Sequence, residues 1–441
     1  MKKILRLAEQ SFTVLSLLLY SGGPLTVLLS GGVSEGDGRA VPTEYPLIQL
    51  LFLVVYAITL FLLSKRWKDV FTVVSKNRLI GLFLGLVLVS VLWSYEPMMT
   101  IRRSIALAGT TLFGIYLATR YSLKQQIQLL GWMFGLAILL SLIFALALPK
   151  YGIMGGVHTG TWRGIYLHKN ALGKVMVPSA AIFLLLALDN PKKQLLFWGC
   201  FSSSIILLLL STSKTALVSF VFLLSALCLY RFWQKHYDVI FPALLAITAT
   251  ICISFSPPLL PQVNALFNVT EAPPSQTVTL PSSSSETVTT SPKSTDKGKT
   301  LHARSQLWSL ALEMISKRPW LGYGYGAFWL GNDGPSAYIW KITDWMPPNS
   351  HNGWLDLWLD LGIFGIVIYL IGLWKTLAKA LAQVRLSRTA EYLWPIAYLT
   401  FLMLVNLTES TLVVQNNLLW VLYVAVALST LTPSEPIVSK S

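Results

Sequence analysis

A histidine stands where a long polar interval meets an apolar helix. Asn349-Ser350-His351-Asn352-Gly353 runs directly into Trp354-Leu355 and a stretch of apolar residues. An imidazole titrates near neutral pH and can take the proton of an attacking hydroxyl, so His351 is the candidate general base. The position also fits a helix N-cap or a buried, hydrogen-bonded histidine. Asp356 and Asp360 follow, one helical turn apart. Paired carboxylates suit glycoside hydrolysis; alternatively one orients His351 or an arginine and the other faces a polar interior. A charge in the first two turns of a membrane helix needs a partner or water, and Arg304 and Lys214 are the partners expected.

The cations that share a side with His351 carry the second half of the chemistry. Arg102 and Arg103 open one apolar span, and Arg163, His168 and Lys169 crowd the approach to another, with Lys174 just inside it. Lys214 occupies a tight turn, and Arg304 opens a helix. Each alone fits lipid-headgroup contact or snorkelling. Together they form a cationic bowl at one mouth of a bundle, where arginine's planar fork suits a diphosphate.

The elements that must position these residues are membrane helices. The chain is 54% hydrophobic and 12% charged, with mean hydropathy +0.61, outside the range of soluble multidomain proteins. Runs long enough to cross ~30 Å of hydrocarbon predict an all-α integral membrane protein of about 12 transmembrane helices. They are 9–29, 46–63, 79–93, 104–119, 129–148, 171–188, 194–210, 214–230, 239–256, 354–374, 391–407 and 413–431. No cleavable signal peptide is expected, since Met1–Gln10 leads straight into an apolar run. Cys200, Cys228 and Cys252 all fall within spans and read as apolar core residues.

Connections after even-numbered spans, with both termini, hold 19 of the 34 Lys and Arg residues but only six acids. The positive-inside bias therefore puts both termini in the cytoplasm and a large 257–353 loop, between helices 9 and 10, on the outer (periplasmic) side. The net charge of +15 reflects this bias and attraction to anionic lipid, and gives no argument for nucleic acid. The chain divides into 1–256, the outer loop, and 354–441. Within the loop, 19 of the 33 residues from Asn268 to Thr300 are Ser, Thr or Pro, which predicts a disordered insert. Over 303–317, Leu307, Trp308, Leu310, Ala311, Met314 and Ile315 recur at helical spacing and predict an amphipathic helix lying on the membrane face.

Arg318-Pro319 ends that helix, and Gly322, Gly324 and Gly326 read as a flexible turn. No strand precedes these glycines, so a phosphate loop is not expected. Seven of the 16 tryptophans lie between 301 and 360, read first as an interfacial belt and second as platforms for sugar rings. His158, His168, His302 and His351 are too scattered for ligand spacing, so no metal is expected.

Several segments together resemble a known family. Trp162-Arg163-Gly164-Ile165-Tyr166-Leu167-His168-Lys169-Asn170-Ala171-Leu172-Gly173 resembles the G-x-F-x-H-K-N-x-L-G signature of exopolysaccharide polymerases in the O-antigen ligase/polymerase family, with Tyr166 at the usual Phe. Ser211-Thr212-Ser213-Lys214-Thr215-Ala216-Leu217 is similar to that family's S-x-S-R/K-T-A-L turn, and Arg304 with Trp308, Pro319, Gly322, Gly324 and Phe328 to its loop–helix pattern. His351-Asn352-Gly353-Trp354-Leu355 with Asp360-Leu361-Gly362 and Gly365 resembles H-N-x-x-L-x-x-x-x-E-x-G-x-x-G, Asp360 replacing the more frequent Glu. The likeness spans roughly residues 80–375 and omits the Ser-rich insert.

The resemblance implies a glycosyltransferase of the bacterial inner membrane, its active site facing the periplasm. It would take a polyprenyl-diphosphate-linked oligosaccharide as donor and a glycan or lipid-linked acceptor, without cofactor or metal. On that reading His351 is the catalytic base. Arg163, Arg304, Lys169, Lys214, Arg102 and Arg103 bind the donor diphosphate, and His168, Asn352, Asp356 and Asp360 support them. The His-Lys-Asn signature favours polymerase over ligase. The rival class is a multi-span transporter of a small anion such as bicarbonate. Such a protein should show inverted repeats and helices broken near the midplane, whereas the polar residues here cluster at the outer ends.

Overall fold

The structure, a computed structural model, describes residues 2–33, 45–232, 296–343, 346–386 and 389–430. Among these the chain is helical throughout, and its sheet-like pairing is one antiparallel bridge, Ile153 to Trp162. The helices are α1 Lys2–Tyr20, α2 Leu25–Leu29, α3 Pro46–Ser64, α4 Trp67–Lys76, α5 Arg78–Val89, α6 Pro97–Arg120, α7 Leu123–Ala147 and α8 Pro149–Gly152. They continue with α9 Lys169–Asp189, α10 Gln194–Leu210, α11 Lys214–Phe232, α12 Asp296–Lys317, α13 Ala337–Ile342, α14 Gly353–Leu386, α15 Leu393–Val405 and α16 Leu418–Ser429.

Five described helices are long and apolar enough to cross a membrane: α3, α7, α9, α10 with its lead-in from Pro191, and α14. Counting α4 and α5 as one broken span, bent by 90°, makes six. The protein is a multi-pass membrane protein. Of the sequence-derived spans, 239–256 lies outside the described residues. The span expected at 9–29 is two helices, because Gly22-Gly23-Pro24 interrupts it and proline cannot continue the backbone ladder. The expected 79–93 span is α5 closed by a tight turn over Ser90–Trp93. The expected 354–374 span runs on to Leu386.

Local sequence explains the starts. Ser122 and Gln125 form a reciprocal capping box at α7, and the Asn417 side chain caps α16 through the Leu419 N–H at 2.8 Å. One large apolar core runs through the bundle, with α15 and α16 almost wholly buried in it.

A second, smaller core gathers α12, α13 and the start of α14 and corrects two expectations. The helix expected at 303–317 begins at Asp296, so residues 296–300 of the expected insert are helical; 268–295 lies outside the described residues. Its apolar stripe does not rest on lipid. Leu307, Ala311, Met314 and Ile315 are buried against Tyr323, Phe328, Ile339 and Leu359. The stripe at helical spacing is real, but protein covers it.

The glycine turn is also built rather than loose. It seats against a break in α14 at Gly362, whose φ is +65°. Ile363 N–H donates to the Pro319 carbonyl at 2.9 Å, and Tyr323 and Gly324 N–H donate to the carbonyls of Leu359 and Asp360 at 2.8 and 3.0 Å. Backbone groups freed by the break are thereby satisfied. A Cβ at Gly362 would collide with the Trp320 carbonyl, so the close approach requires glycine.

Candidate functional site

The site is assembled where four connections meet: the approach to α9, the α10–α11 turn, the entry to α14 and the α15–α16 loop. His168 caps α9, its Nδ1 accepting the Asn170 N–H at 3.1 Å. The His158 ring stands edge-on to it at 5.4 Å. Lys169 reaches across to Thr212 Oγ1 at 3.4 Å. Gly173 lets the same helix sit against Ser213 and Ala216, so two of the family-like segments pack directly together. Lys214 is exposed at the start of α11, beside Thr215, which accepts from Thr408 at 3.0 Å.

His351 lies at the entry to α14 with φ +52°, a left-handed conformation uncommon outside glycine. It is not the N-cap. That role belongs to Asn352, whose Oδ1 accepts the N–H groups of Trp354 and Leu355 at 3.0 and 3.3 Å. The turn is fixed on every side. His351 N–H donates to Asn349 Oδ1 at 3.0 Å, and Ser350 N–H to Asp356 Oδ1 at 3.1 Å. Trp308 donates to the Ser350 carbonyl at 2.8 Å. Backbone strain held by so many bonds is typical of functional positions. Asp356 also accepts from Trp329 Nε1 at 2.8 Å, so this carboxylate organises the turn that carries His351.

Tryptophans here are chiefly staples. Besides Trp308 and Trp329, Trp340 donates to the Pro347 carbonyl and Trp358 to the Pro319 carbonyl, each at 3.0 Å. Trp320 is exposed, and Trp345 lies outside the described residues.

Glu409, in the loop after α15, is the residue that the sequence reading missed. Its carboxylate is buried and accepts from Asn170 Nδ2 and from Lys174 Nζ, each at 3.1 Å. Its carbonyl accepts the Gly353 N–H at 3.1 Å, while Ser410 Oγ takes the Asn352 N–H at 3.1 Å. Burial pushes the carboxyl toward its neutral form, but the Lys174 ammonium overrides this, aided by His351 and Arg304. The carboxyl is held below its ordinary value. Glu409 thus joins the His-Lys-Asn segment to the His-Asn-Gly segment. The signal in the sequence was an acid in the short polar break Asn406-Leu407-Thr408-Glu409-Ser410-Thr411 between two apolar spans.

The expected diphosphate ligands divide. Arg304 is half-buried on α12, and Lys169 and Lys214 lie on adjoining turns. Arg163 does not join them. It is fully buried, and all five of its N–H donors face carbonyls: Tyr151 at 2.8, Val33 at 2.9, Leu167 at 3.5, Gly32 at 2.7 and Lys150 at 2.9 Å. A guanidinium so occupied clamps the 149–167 loop and offers no fork to a ligand. Arg103 is given to the glycine turn, donating to the Gly326 carbonyl beside Asp360, and Arg102 is exposed on α6. Asp360 adjoins the same turn, its carbonyl accepting the Gly324 N–H at 3.0 Å. Among the described residues no group of three His, Cys, Asp or Glu could hold a metal ion.

This arrangement can bind an anion beside a base. Residues 199–370 match the family model described as O-antigen ligase. No curated protein matches the chain. The matched segment contains Lys214, Arg304 and the His351-Asn352 turn, and the match supports the resemblance to the O-antigen ligase/polymerase family.

Proposed function

We propose that this membrane enzyme moves a glycan from a polyprenyl-diphosphate donor to a sugar hydroxyl, as a polymerase of cell-surface polysaccharide. The acceptor oxygen bonds to C1 of the donor sugar while the C1–O bond to the diphosphate breaks, its electron pair leaving on the diphosphate. The hydroxyl proton passes to His351. Arg304, Lys169 and Lys214 face the charge that accumulates on the leaving group. Diphosphate leaves well enough to need no general acid, and no step calls on a metal. In the cell the twelve-span bundle sits in the inner membrane with this site in the periplasm.

The observation that carries the reading is the packing of the His351-Asn352-Gly353 turn against the His168-Lys169-Asn170 segment, Glu409 accepting from Asn170 Nδ2 through its carboxylate and from the Gly353 N–H through its carbonyl. Preference for polymerase rests on the likeness of that segment alone. The test is transfer from purified polyprenyl-diphosphate glycan in liposomes. His351→Ala should abolish turnover and keep donor binding. Arg304→Ala should weaken donor binding by about 10- to 100-fold, the loss of one charge-assisted contact of about 1.5–3 kcal/mol, and Arg304→Lys should restore part of it. Full turnover in His351→Ala, or uptake of a small anion without any glycan transfer, would overturn the proposal.

A further inference from the structure

The broken span made by α4 and α5 builds a second polar–apolar boundary, at the end of α5 remote from the candidate site. Near its last turn α5 meets the glycine turn, where Trp93 Nε1 donates to the Leu321 carbonyl at 2.9 Å and Tyr325 N–H to Ser90 Oγ at 3.1 Å. At the other end α4 bends away by 90°, so a crossing α5 lays α4 along the membrane surface. The sequence of α4 suits that place. Trp67, Val70, Phe71 and Val74 share one stripe at helical spacing; Val70 and Val74 pack on the main core, while Trp67 and Phe71 stay 64% and 71% exposed. Lys65, Arg66, Lys68, Lys76 and Arg78 set five cations along and beside the helix, against one acid, Asp69.

Behind the bend lies a cleft between α5, α14 and α16, walled by Asn77, Ile80, Phe83, Tyr369, Gly372 and Tyr423. Asn77 ties the bend to α16, its Nδ2 donating to the Ala427 carbonyl at 3.4 Å. Tyr369 stacks on Tyr423 with ring centroids 5.1 Å apart and meets Phe83 edge-on at 5.9 Å. Gly372 keeps the cleft open, since a Cβ there would stand 3.1 Å from the Tyr423 hydroxyl. The Tyr369 hydroxyl is buried and makes no hydrogen bond, a costly state that an acceptor in the cleft would relieve. Lys76 and Arg78 flank Asn77, and Lys375 follows Gly372 by three residues; all three are exposed, and no ion pair among the described residues takes them. Tyr369 lies ~9 Å along α14 from Lys375, a separation that a phosphate and the ester groups behind it can span. We propose that the cleft binds an anionic phospholipid of the leaflet opposite the candidate site. The phosphate sits among Lys76, Arg78 and Lys375, a glycerol ester carbonyl accepts from the Tyr369 hydroxyl, and an acyl chain runs along Phe83. On the topology proposed above that leaflet is the cytoplasmic one, and the site takes no part in glycan transfer.

The experiment titrates delipidated full-length protein in detergent with phosphatidylglycerol, phosphatidylcholine or inorganic phosphate, and counts bound lipid by native mass spectrometry on the monodisperse fraction. Wild type should retain phosphatidylglycerol in preference to phosphatidylcholine. Lys76→Gln with Arg78→Gln should weaken phosphatidylglycerol by about 30-fold, at about fivefold for each surface cation removed. Ile368→Trp, which fills the cleft from its half-buried rim, should also release the lipid, whereas Ile371→Trp, exposed on the same helix outside the cleft, should not. Lys192→Gln with Lys193→Gln, cations of the turn before α10, should leave binding unchanged. Tyr369→Phe, which removes the unmatched hydroxyl, should melt above wild type without lipid and gain less from phosphatidylglycerol. Equal affinity for phosphatidylcholine, undiminished binding in the Lys76 and Arg78 pair or in Ile368→Trp, an equal loss in the Lys192 and Lys193 pair, or displacement of the lipid by inorganic phosphate would each overturn the proposal.

Discussion

Arg163→Lys should cost stability and leave the chemistry alone. The guanidinium is fully buried and spends five N–H donors on five carbonyls. An ammonium brings three donors from one nitrogen, so at least two of those carbonyls lose their match. A buried acceptor left bare costs about 1–3 kcal/mol, which puts the substitution at about 2–6 kcal/mol. That is a large share of the roughly 5–15 kcal/mol that typically separates folded from unfolded protein. Arg163→Ala, which strands all five, should exceed the ~4–5 kcal/mol that marks exceptional substitutions. The assay is the folded, monodisperse fraction after heating detergent extracts, with transfer measured per folded molecule. Arg163→Lys should lose thermal tolerance and keep donor KM. A lysine variant as stable as the wild type but with a donor KM raised tenfold would return Arg163 to the diphosphate and refute the reasoning.

Gly362→Ala places a Cβ against the Trp320 carbonyl at a left-handed position, and should lower stability by on the order of 1–3 kcal/mol or more; detergent melting curves would show it, and an unchanged curve would mean that the turn is not seated there. Gly353→Ala should reduce turnover more than folding, because its Cβ would press on Asn406 Oδ1 in the loop that carries Glu409; equal kcat in the folded variant would contradict this. The Glu409 carboxyl is held below its ordinary value, so the stability it adds is present above the unfolded glutamate range and lost as pH falls through its folded value. Wild type should therefore outlast Glu409→Gln at pH 5–7 and lose that advantage progressively as pH falls below about 4.3; a gap that did not shrink at all on acidification would exclude the ion pair as its source. Excising 268–295 should leave transfer intact, since that stretch holds no motif; an inserted but inactive deletion would assign it a role.

The sequence was legible where the signal is local. A histidine between a polar interval and an apolar run is visible at 351, and the structure puts it in a turn there, with Asn352 and not His351 as the cap. Arg163 was misread because a sequence displays the charge and hides the carbonyls that curl around it from residues as distant as Gly32 and Val33. Glu409 was missed for the opposite reason. Its partners stand at 170, 174 and 353, far along the chain, and a single acid in a short polar break gives no periodic signal. The α12 stripe was legible as a helix, but periodicity cannot say whether lipid or protein covers an apolar face, and here Tyr323, Phe328 and Leu359 do. The start of that helix was lost because Ser/Thr/Pro composition was averaged across Asp296.

The break at Gly362 also works as a ruler. At 1.5 Å per residue, an unbroken helix of 34 residues would reach ~51 Å, well beyond the ~30 Å of a hydrocarbon layer. The part of α14 after Gly362 measures ~36 Å, enough to cross with some tilt. The part before it adds up to ~13 Å and carries Asp356, Asp360 and, at its tip, the His351 turn. The glycine turn wedged into the break fixes where the crossing stops and this pedestal begins. On the proposed reading the height of His351 above the lipid is therefore set by chain length rather than by side-chain chemistry, and one added turn below Gly362 would lift the pedestal ~5 Å away from the proposed membrane-bound donor.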